Sequence, residues 1–584
     1  MVVAMLFVFS MFGVQLVRIQ GLEAASVSEE AFGSRIKRVA VPAQRGTITD
    51  THGVVLADSV DRRNIYGDST AIAQYATRPA GKGKVKLGLP GAAKRIAPLL
   101  GLKESDLLAL LQRQYAKKSQ FAYLAKDVSP TQWRAVQELG VPGVFSERTV
   151  RREYPQGTSL APLVGWVGSN GAPGGGVEAL EQKRLVGKPG THVYERDPNG
   201  QVIATGDNSD IPAVPGKDLR LTIDNDLQWY AQNALIQRVT ETKALSGDVV
   251  VMEVKTGKIR AAASYPSFDP NDMASAPPYL QLRPFDEVYE PGSTSKVITM
   301  AALIDQGYAT PTTPVTVPPT LVRAGRPFKD SESHGTEHMT LAGVLAHSSN
   351  MGTILAGEKM PARTLHDYMT AFGLGRRTGV GFPGESPGIL AAPEAWKGDQ
   401  RYTVMFGQGL AGTAVQQAAV FQTIANGGVR QPVSLVEGVG DGRGGFGAPE
   451  DDRKPQRVVS ATTASQLTRM MQSVVSEEGT ANAAAVPGYT VAGKTSTAER
   501  YDATLKKYSG TTASFIGFAP AQNPELVVAV TIQRPQAGIY GGPVSGPVFS
   551  KIMSFALQQR KVPPSGNAPQ PYPLTTTPPA TEQK

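Results

Sequence analysis

Near residue 216 the texture of the chain changes, and the change divides it into two folding units. From there GKDLRLTIDNDLQWYAQNAL reads as a strand, then Asp224 as a helix N-cap, then an amphipathic helix. GDVVVMEVKTGKIRAAASY follows as two β-runs joined at Lys255-Thr256-Gly257, which predicts a hairpin. A mixed unit of this kind reaches to about residue 556. Upstream, helix-period pieces such as SDLLALLQRQY (105–115) and TQWRAVQELG (131–140) alternate with Gly-rich loops such as NGAPGGG (170–176), giving a first α+β unit over 41–215. Within it, VPAQRGTITDTHGVVLADS (41–59) predicts a β-hairpin turning at Thr51-His52-Gly53. GDGRGGFGAPEDDRKP (440–455) predicts an exposed loop in the second unit, and the Pro/Thr-rich residues 557–584 read as a disordered tail.

The first 17 residues, MVVAMLFVFSMFGVQLV, are uncharged and close to the lower limit for crossing about 30 Å of hydrocarbon as a helix. No positive segment precedes them and no small-residue cleavage site follows, so a retained single-pass membrane anchor is expected rather than a removed signal. The missing positive flank also predicts a true start upstream of Met1. Residues 18–40 then form a juxtamembrane segment, with 22–36 helical. Absence of cysteine excludes disulfides, Cys-ligated zinc and thiol catalysis, so any nucleophile is an oxygen or a nitrogen. The net charge of +9 is spread along the chain without a basic run, which argues against nucleic-acid binding and leaves attraction to an anionic polymer or surface open.

Residues 290–306, EPGSTSKVITMAALIDQ, place a Pro-Gly loop before an apolar helix whose first turn holds Ser293 and Lys296. Positions i and i+3 share a face, so the amine reaches the hydroxyl, and the free N–H groups and dipole of a helix N-terminus favour developing negative charge. These are the needs of an activated serine. Alone, Ser-x-x-Lys occurs by chance in most long proteins. Ser348 and Asn350 in HSSNMGT, and Lys494, Thr495 and Thr497 in TVAGKTSTAE, are weaker still alone, but the three in this order match a known serine acyl-transfer signature.

With these motifs the chain resembles the class B penicillin-binding proteins, and within them the septal transpeptidases of the FtsI type. RGTITDTHGVVLADS is similar to an element of the family's pedestal, GDVVVMEVKTGKIRAAASYPSFDPN to its opening transpeptidase strands, and FGQGLAGTAVQQAAVFQTIANGG (406–428) to its Gly-Gln-Gly helix. ASFIGFAPAQNPE (513–525) and YGGPVSGPVF (540–549) resemble its final strands and last helix. The resemblance implies an α+β multidomain fold: a transmembrane helix, an elongated pedestal of dimerisation type, and a β-lactamase-like transpeptidase domain over 216–556, with an antiparallel sheet flanked by helices and an all-α subdomain. It implies that Ser293 is acylated, Lys296 takes its proton, Ser348 relays a proton, and Asn350 holds Lys296 and the substrate amide. Lys494 and the hydroxyls of Thr495 and Thr497 would receive the substrate carboxylate, and the Ser293 and Thr497 backbone N–H groups would form the oxyanion hole. One departure is Ser496, where the family carries glycine; its side chain is expected to narrow the substrate groove or to alter β-lactam affinity, without removing a reacting group.

The implied reaction is acyl transfer from a D-Ala-D-Ala stem peptide to an acceptor amine, without cofactor or metal, with the catalytic domain outside the cytoplasm. The implied partners are peptidoglycan stem peptides, β-lactams, an FtsW-type glycosyltransferase and other division proteins. The alternatives are a hydrolase sharing Ser293, either a carboxypeptidase or a β-lactamase, and a division scaffold or β-lactam sensor with catalysis secondary. Two other patterns compete. His334-Gly-Thr-Glu337-His338 has the spacing of a zinc motif, but Gly335 interrupts any helix there and Thr340 reads as the next N-cap. Glu478 and Asn482 have the spacing of a deacylating glutamate motif, but lie just before Lys494 and read as structural.

Overall fold

The computed structural model of the chain describes residues 2–18, 36–77, 83, 85–168, 170–195, 209–502, 505–566 and 570–577. The expected helix over 22–36 lies outside these residues except for Ile36, which opens a strand. Helix α1 (Val2–Val17) is 16 residues long, uncharged and exposed throughout. No helix among the described residues is long and apolar enough to cross a membrane.

The chain forms two compact units, residues 1–47, 58–153 and 183–217 in one, and 48–57, 154–182 and 218–584 in the other. This differs from a single cut near 216. The hairpin predicted at 41–59 forms as Ile48–Thr49 against Val55–Ala57, and it joins the second unit because Ile48 pairs in parallel with Leu219. Its turn is tied by Asp50, a 1 % exposed carboxylate that accepts the N–H groups of His52, Val54 and Asn225.

In the first unit, Asp58–Gly67 pairs antiparallel with Val144–Glu153 and also with Ala122–Val128. The periodic segments of the sequence become helices Glu104–Ala116 and Pro130–Glu138, the latter started by a Ser129/Gln132 capping box. Their apolar faces meet Gly88–Leu99 and the sheet in one core around Ile65, Ile96, Leu107, Leu111, Leu124 and Val136. A separate antiparallel sheet joins Ile36–Val41, Gly190–Glu195 and Ser209–Ile211.

In the second unit, α2 (Asn225–Thr242) is capped by the Asp224 carboxylate, which accepts the Leu227 N–H at 3.0 Å. Strands β1 (Ser246–Glu253) and β2 (Ile259–Tyr265) form the predicted hairpin. The nucleophile loop then leads into α3 (Lys296–Asp305), and β3 (Glu337–Thr340) leads directly into α4 (Leu341–Ala346) and α5 (Asn350–Gly357). After α6 (Ala414–Ala425) and α7 (Ala461–Gln472) come β4 (Ala492–Asp502), β5 (Lys507–Ala519), β6 (Leu526–Gln533) and α8 (Gly541–Gln559). The sheet runs β2-β1-β6-β5-β4, antiparallel throughout, with β4 on the edge. Every residue of β1 and β6 is buried, so both faces of the sheet are covered. Helices α2 and α8 pack on the sheet and on each other, with Tyr230 stacked on Phe555 at 4.2 Å. Helix α6 is buried on all sides, as an apolar helix at the centre of a unit must be.

Three expectations change. The helical part is not all-α, because it carries the strand pairs Pro314–Val317 with β3 and Leu321–Arg323 with Arg326–Phe328. The 440–455 insert is exposed over much of its length but starts as a strand turn, with Val439 and Gly440 paired to Gly447 and Phe446. The tail is not disordered from 557: α8 continues to Gln559, and residues 570–577 make backbone hydrogen bonds to β3. Its prolines bar helix but leave an extended strand free to pair at an edge.

Candidate active site

Ser293 lies on a 3₁₀ turn, Gly292–Ser295, that runs into α3, so it and Lys296 fall on one face at the start of a buried helix. Gly292 shapes the turn. Its φ is +53°, and its N–H donates to the Gly407 carbonyl at 3.0 Å, which brings the Gly407-Gln408-Gly409 loop against the nucleophile loop. A Cβ on Gly407 would lie 2.1 Å from the Gly292 carbonyl oxygen, so glycine is needed at this approach.

Lys296 is fully buried, and burial pushes its amine down to about 7 against the opposing pull of the Asp330 carboxylate. Its Nζ donates to the Ser348 carbonyl and, at 3.3 Å, to the Ser348 hydroxyl. Lys494, on the edge strand β4, is also fully buried and donates to the same hydroxyl at 2.9 Å and to the Thr495 hydroxyl at 3.2 Å. Burial, and then the charge of Lys296, push Lys494 well below the ordinary lysine range. Ser348 therefore bridges the two amines. It holds a left-handed backbone, φ +62°, between α4 and α5, a conformation that costs a non-glycine residue about 1–3 kcal/mol.

The structure brings Ser293, Lys296, Ser348, Lys494 and Ser496 together, but places two residues differently from expectation. Lys296 makes no hydrogen bond to the Asn350 side chain among the described residues; Asn350 starts α5, and its N–H donates to Asp330. Ser496 does not face an open groove. It is 2 % exposed, and its hydroxyl accepts the Ser293 N–H at 3.1 Å, because alternation along β4 turns residue 496 to the same side as Lys494, towards the nucleophile turn. One of the two expected oxyanion donors is thus engaged by the chain itself. Thr497 is exposed at the rim with its hydroxyl accepting the Gly541 N–H, while Thr495 shares a 2.8 Å hydrogen bond with Thr480.

Asp330 escaped the sequence reading. Its carboxylate accepts from the Ser349 hydroxyl and the N–H groups of Asn350 and Met351, fixing the start of α5, and it also accepts from His334 at 3.3 Å if that imidazole presents an N–H. Only the fold joins it to Asn350; a polar loop before a helix carries no such signal. The two histidines of the zinc-like pattern do not converge, since His334 turns to Asp330 and His338, on β3, faces Thr316. Glu478 and Asn482 are exposed, and Thr480 is the residue of that stretch that reaches the site.

Comparisons agree with this geometry. Residues 247–554 match the penicillin binding protein transpeptidase domain, and residues 40–173 match the penicillin-binding protein dimerisation domain. The penicillin-binding protein PbpB of Mycolicibacterium smegmatis is 32% identical over 98% of this chain and 92% of its own length. The peptidoglycan D,D-transpeptidase FtsI of Escherichia coli is 32% identical over 90% of this chain and 85% of its own. Among solved structures, a peptidoglycan synthetase from Bifidobacterium adolescentis aligns with a TM-score of 0.74 at 32% identity, covering 93% of this chain and 100% of that one. Penicillin-binding protein 3 of Mycobacterium tuberculosis, complexed with aztreonam, aligns at 0.70 and 26% identity, covering 92% and 100%. With two half-buried serines and two buried lysines gathered at the edge of an antiparallel sheet, and both domain matches in order, the chain belongs to the class B penicillin-binding proteins, serine transpeptidases that join a dimerisation domain to a transpeptidase domain.

Proposed function

We propose that this chain cross-links peptidoglycan as a D,D-transpeptidase of the FtsI type and is acylated by β-lactams at Ser293. The observation that carries the reading is the Ser348 hydroxyl held between two buried amines, beside a serine on the turn that opens α3. Lys296, its amine lowered to about 7, takes the Ser293 proton as the hydroxyl oxygen attacks the carbonyl between the two D-Ala residues. The tetrahedral oxyanion sits on the Ser293 and Thr497 N–H groups, a term worth about 3–4 kcal/mol per donor, once the Ser496 hydroxyl gives up the Ser293 N–H. Ser348 passes a proton to the departing D-Ala amine, and the substrate carboxylate meets Lys494, Thr495 and Thr497. The acceptor amine then attacks the Ser293 ester; its proton passes through Ser348 and Lys296 to the Ser293 oxygen as the acyl–oxygen bond breaks, and the product leaves as the cross-linked amide.

Septal use and an FtsW-type partner are the reading favoured by the kinship with FtsI. Membrane anchoring through α1 is supported by its uncharged, exposed surface. A stem pentapeptide offered with an acceptor amine tests the activity: release of D-Ala with formation of the mixed amide is expected, whereas release of D-Ala with free acid as the sole product indicates a hydrolase.

A further inference from the structure

Residues 570–577, Gln-Pro-Tyr-Pro-Leu-Thr-Thr-Thr, lie along the edge of β3. The Thr340 N–H donates to the Leu574 carbonyl at 2.9 Å, the Thr576 N–H donates to the His338 carbonyl at 2.9 Å, and Met339 bridges antiparallel to Thr575. The Thr340 hydroxyl serves two elements at once. It caps α4 by accepting the Gly343 N–H at 3.0 Å, and it donates its own proton to the Pro573 carbonyl at 2.6 Å. Upstream, the Arg469 guanidinium of α7 covers the Tyr572 ring at 4.1 Å and donates to the Gln570 carbonyl. Two prolines hold the segment extended, so little chain entropy is lost on docking.

Gly343 marks how closely the segment is fitted. A Cβ there would lie 2.0 Å from the Leu574 carbonyl oxygen, and the three nearest atoms it would meet all belong to Leu574. Strand β3, on which the segment docks, runs without a break into α4, only six residues long, and α4 ends at Ala346, two residues before Ser348. Whatever fixes Thr340 and the first turn of α4 therefore fixes where the Ser348 carbonyl and hydroxyl stand against Lys296 and Lys494.

We propose that residues 570–577 are a positioning strap for the acylation site: by pairing with β3 and completing the Thr340 cap, they set Ser348 against the two amines. The inference rests on the role given to Ser348 above. A chain lacking the strap keeps every reacting group but holds the proton relay out of register, and a displacement of about 1 Å slows chemistry by up to about a hundredfold.

The test uses the full chain in detergent and the rate of acylation by penicillin. A chain ending at Gly566 is expected to acylate at least about tenfold more slowly than the parent, and a synthetic peptide of residues 570–577 is expected to restore the rate. G343A, which retains the tail and a better helix former in α4, should be as slow as the truncated chain, should not slow further on truncation, and should not respond to the peptide. If truncation unfolds the protein, G343A alone carries the test. Parent-like rates in the truncated chain or in G343A, or a slow truncated chain that the peptide leaves slow, would overturn the strap. Failure of the parent itself to be acylated would instead overturn the reading of the site.

Discussion

Lys296 and Lys494 face one hydroxyl from two buried positions, and the pH behaviour of the site follows from that. The neutral amine of Lys296 is the base, and burial lowers it to about 7, so penicillin acylation should rise with pH through a midpoint near 7. Asp330 raises Lys296, hence D330N should move the midpoint to lower pH; a midpoint that stays or moves up would show that Asp330 does not act on the amine. Ser496 offers a second residue-scale prediction. Because its hydroxyl occupies the Ser293 N–H, S496G should free an oxyanion donor and speed acylation several-fold, up to about tenfold, in stopped-flow measurements. A slower S496G would mean that the hydroxyl supports the turn rather than competing for its donor. The departure at 496 is legible in the sequence, but the direction of its side chain is not, since it depends on which face of β4 meets the nucleophile turn.

At the scale of elements, the loop Gly407-Gln408-Gly409 and the 3₁₀ turn at Gly292 support one another. G407A places a Cβ 2.1 Å from the Gly292 carbonyl on a backbone of φ +84°, so it should cost about 2 kcal/mol or more in denaturant unfolding and slow acylation at least about tenfold. Parent-like values in both measurements would show that the loops tolerate separation. Elements with a local signal were readable in advance: the periodic helices at 104–116 and 130–138, the Asp224 cap, and the hairpin at Lys255-Thr256-Gly257. Those that depend on distant partners were not. The 570–577 strand has no propensity signal of its own and exists because β3 presents an edge, and Asp330 matters because the fold sets it at the start of α5.

Across the catalytic unit, one carboxylate ties the first strand to the residue beyond the last helix. Burial alone would raise Glu253, but the Thr256 hydroxyl and the Arg260 and Arg560 guanidinium groups overrule it and hold it at about 2. A carboxylate depressed in the folded state adds stability that is complete above its unfolded value of about 4.3 and is lost as pH falls towards 2. E253Q should therefore lose about 1–2 kcal/mol at pH 7, allowing for solvent screening, and should flatten the acid side of the stability profile below about pH 4. An unchanged profile would mean the network contributes nothing net. The pedestal and transpeptidase domains were anticipated from scattered motifs; the strand order of the sheet and the grouping of residues 48–57 with the catalytic unit were not, because both are decided by strand pairing across long stretches of sequence. The central claim is that Ser293 forms an acyl-enzyme that resists water, and intact mass of the full chain after exposure to penicillin tests it directly, alongside S293A. A single stable adduct on the parent and none on S293A is the predicted result; no adduct on the parent, or an equal adduct on S293A, would contradict it.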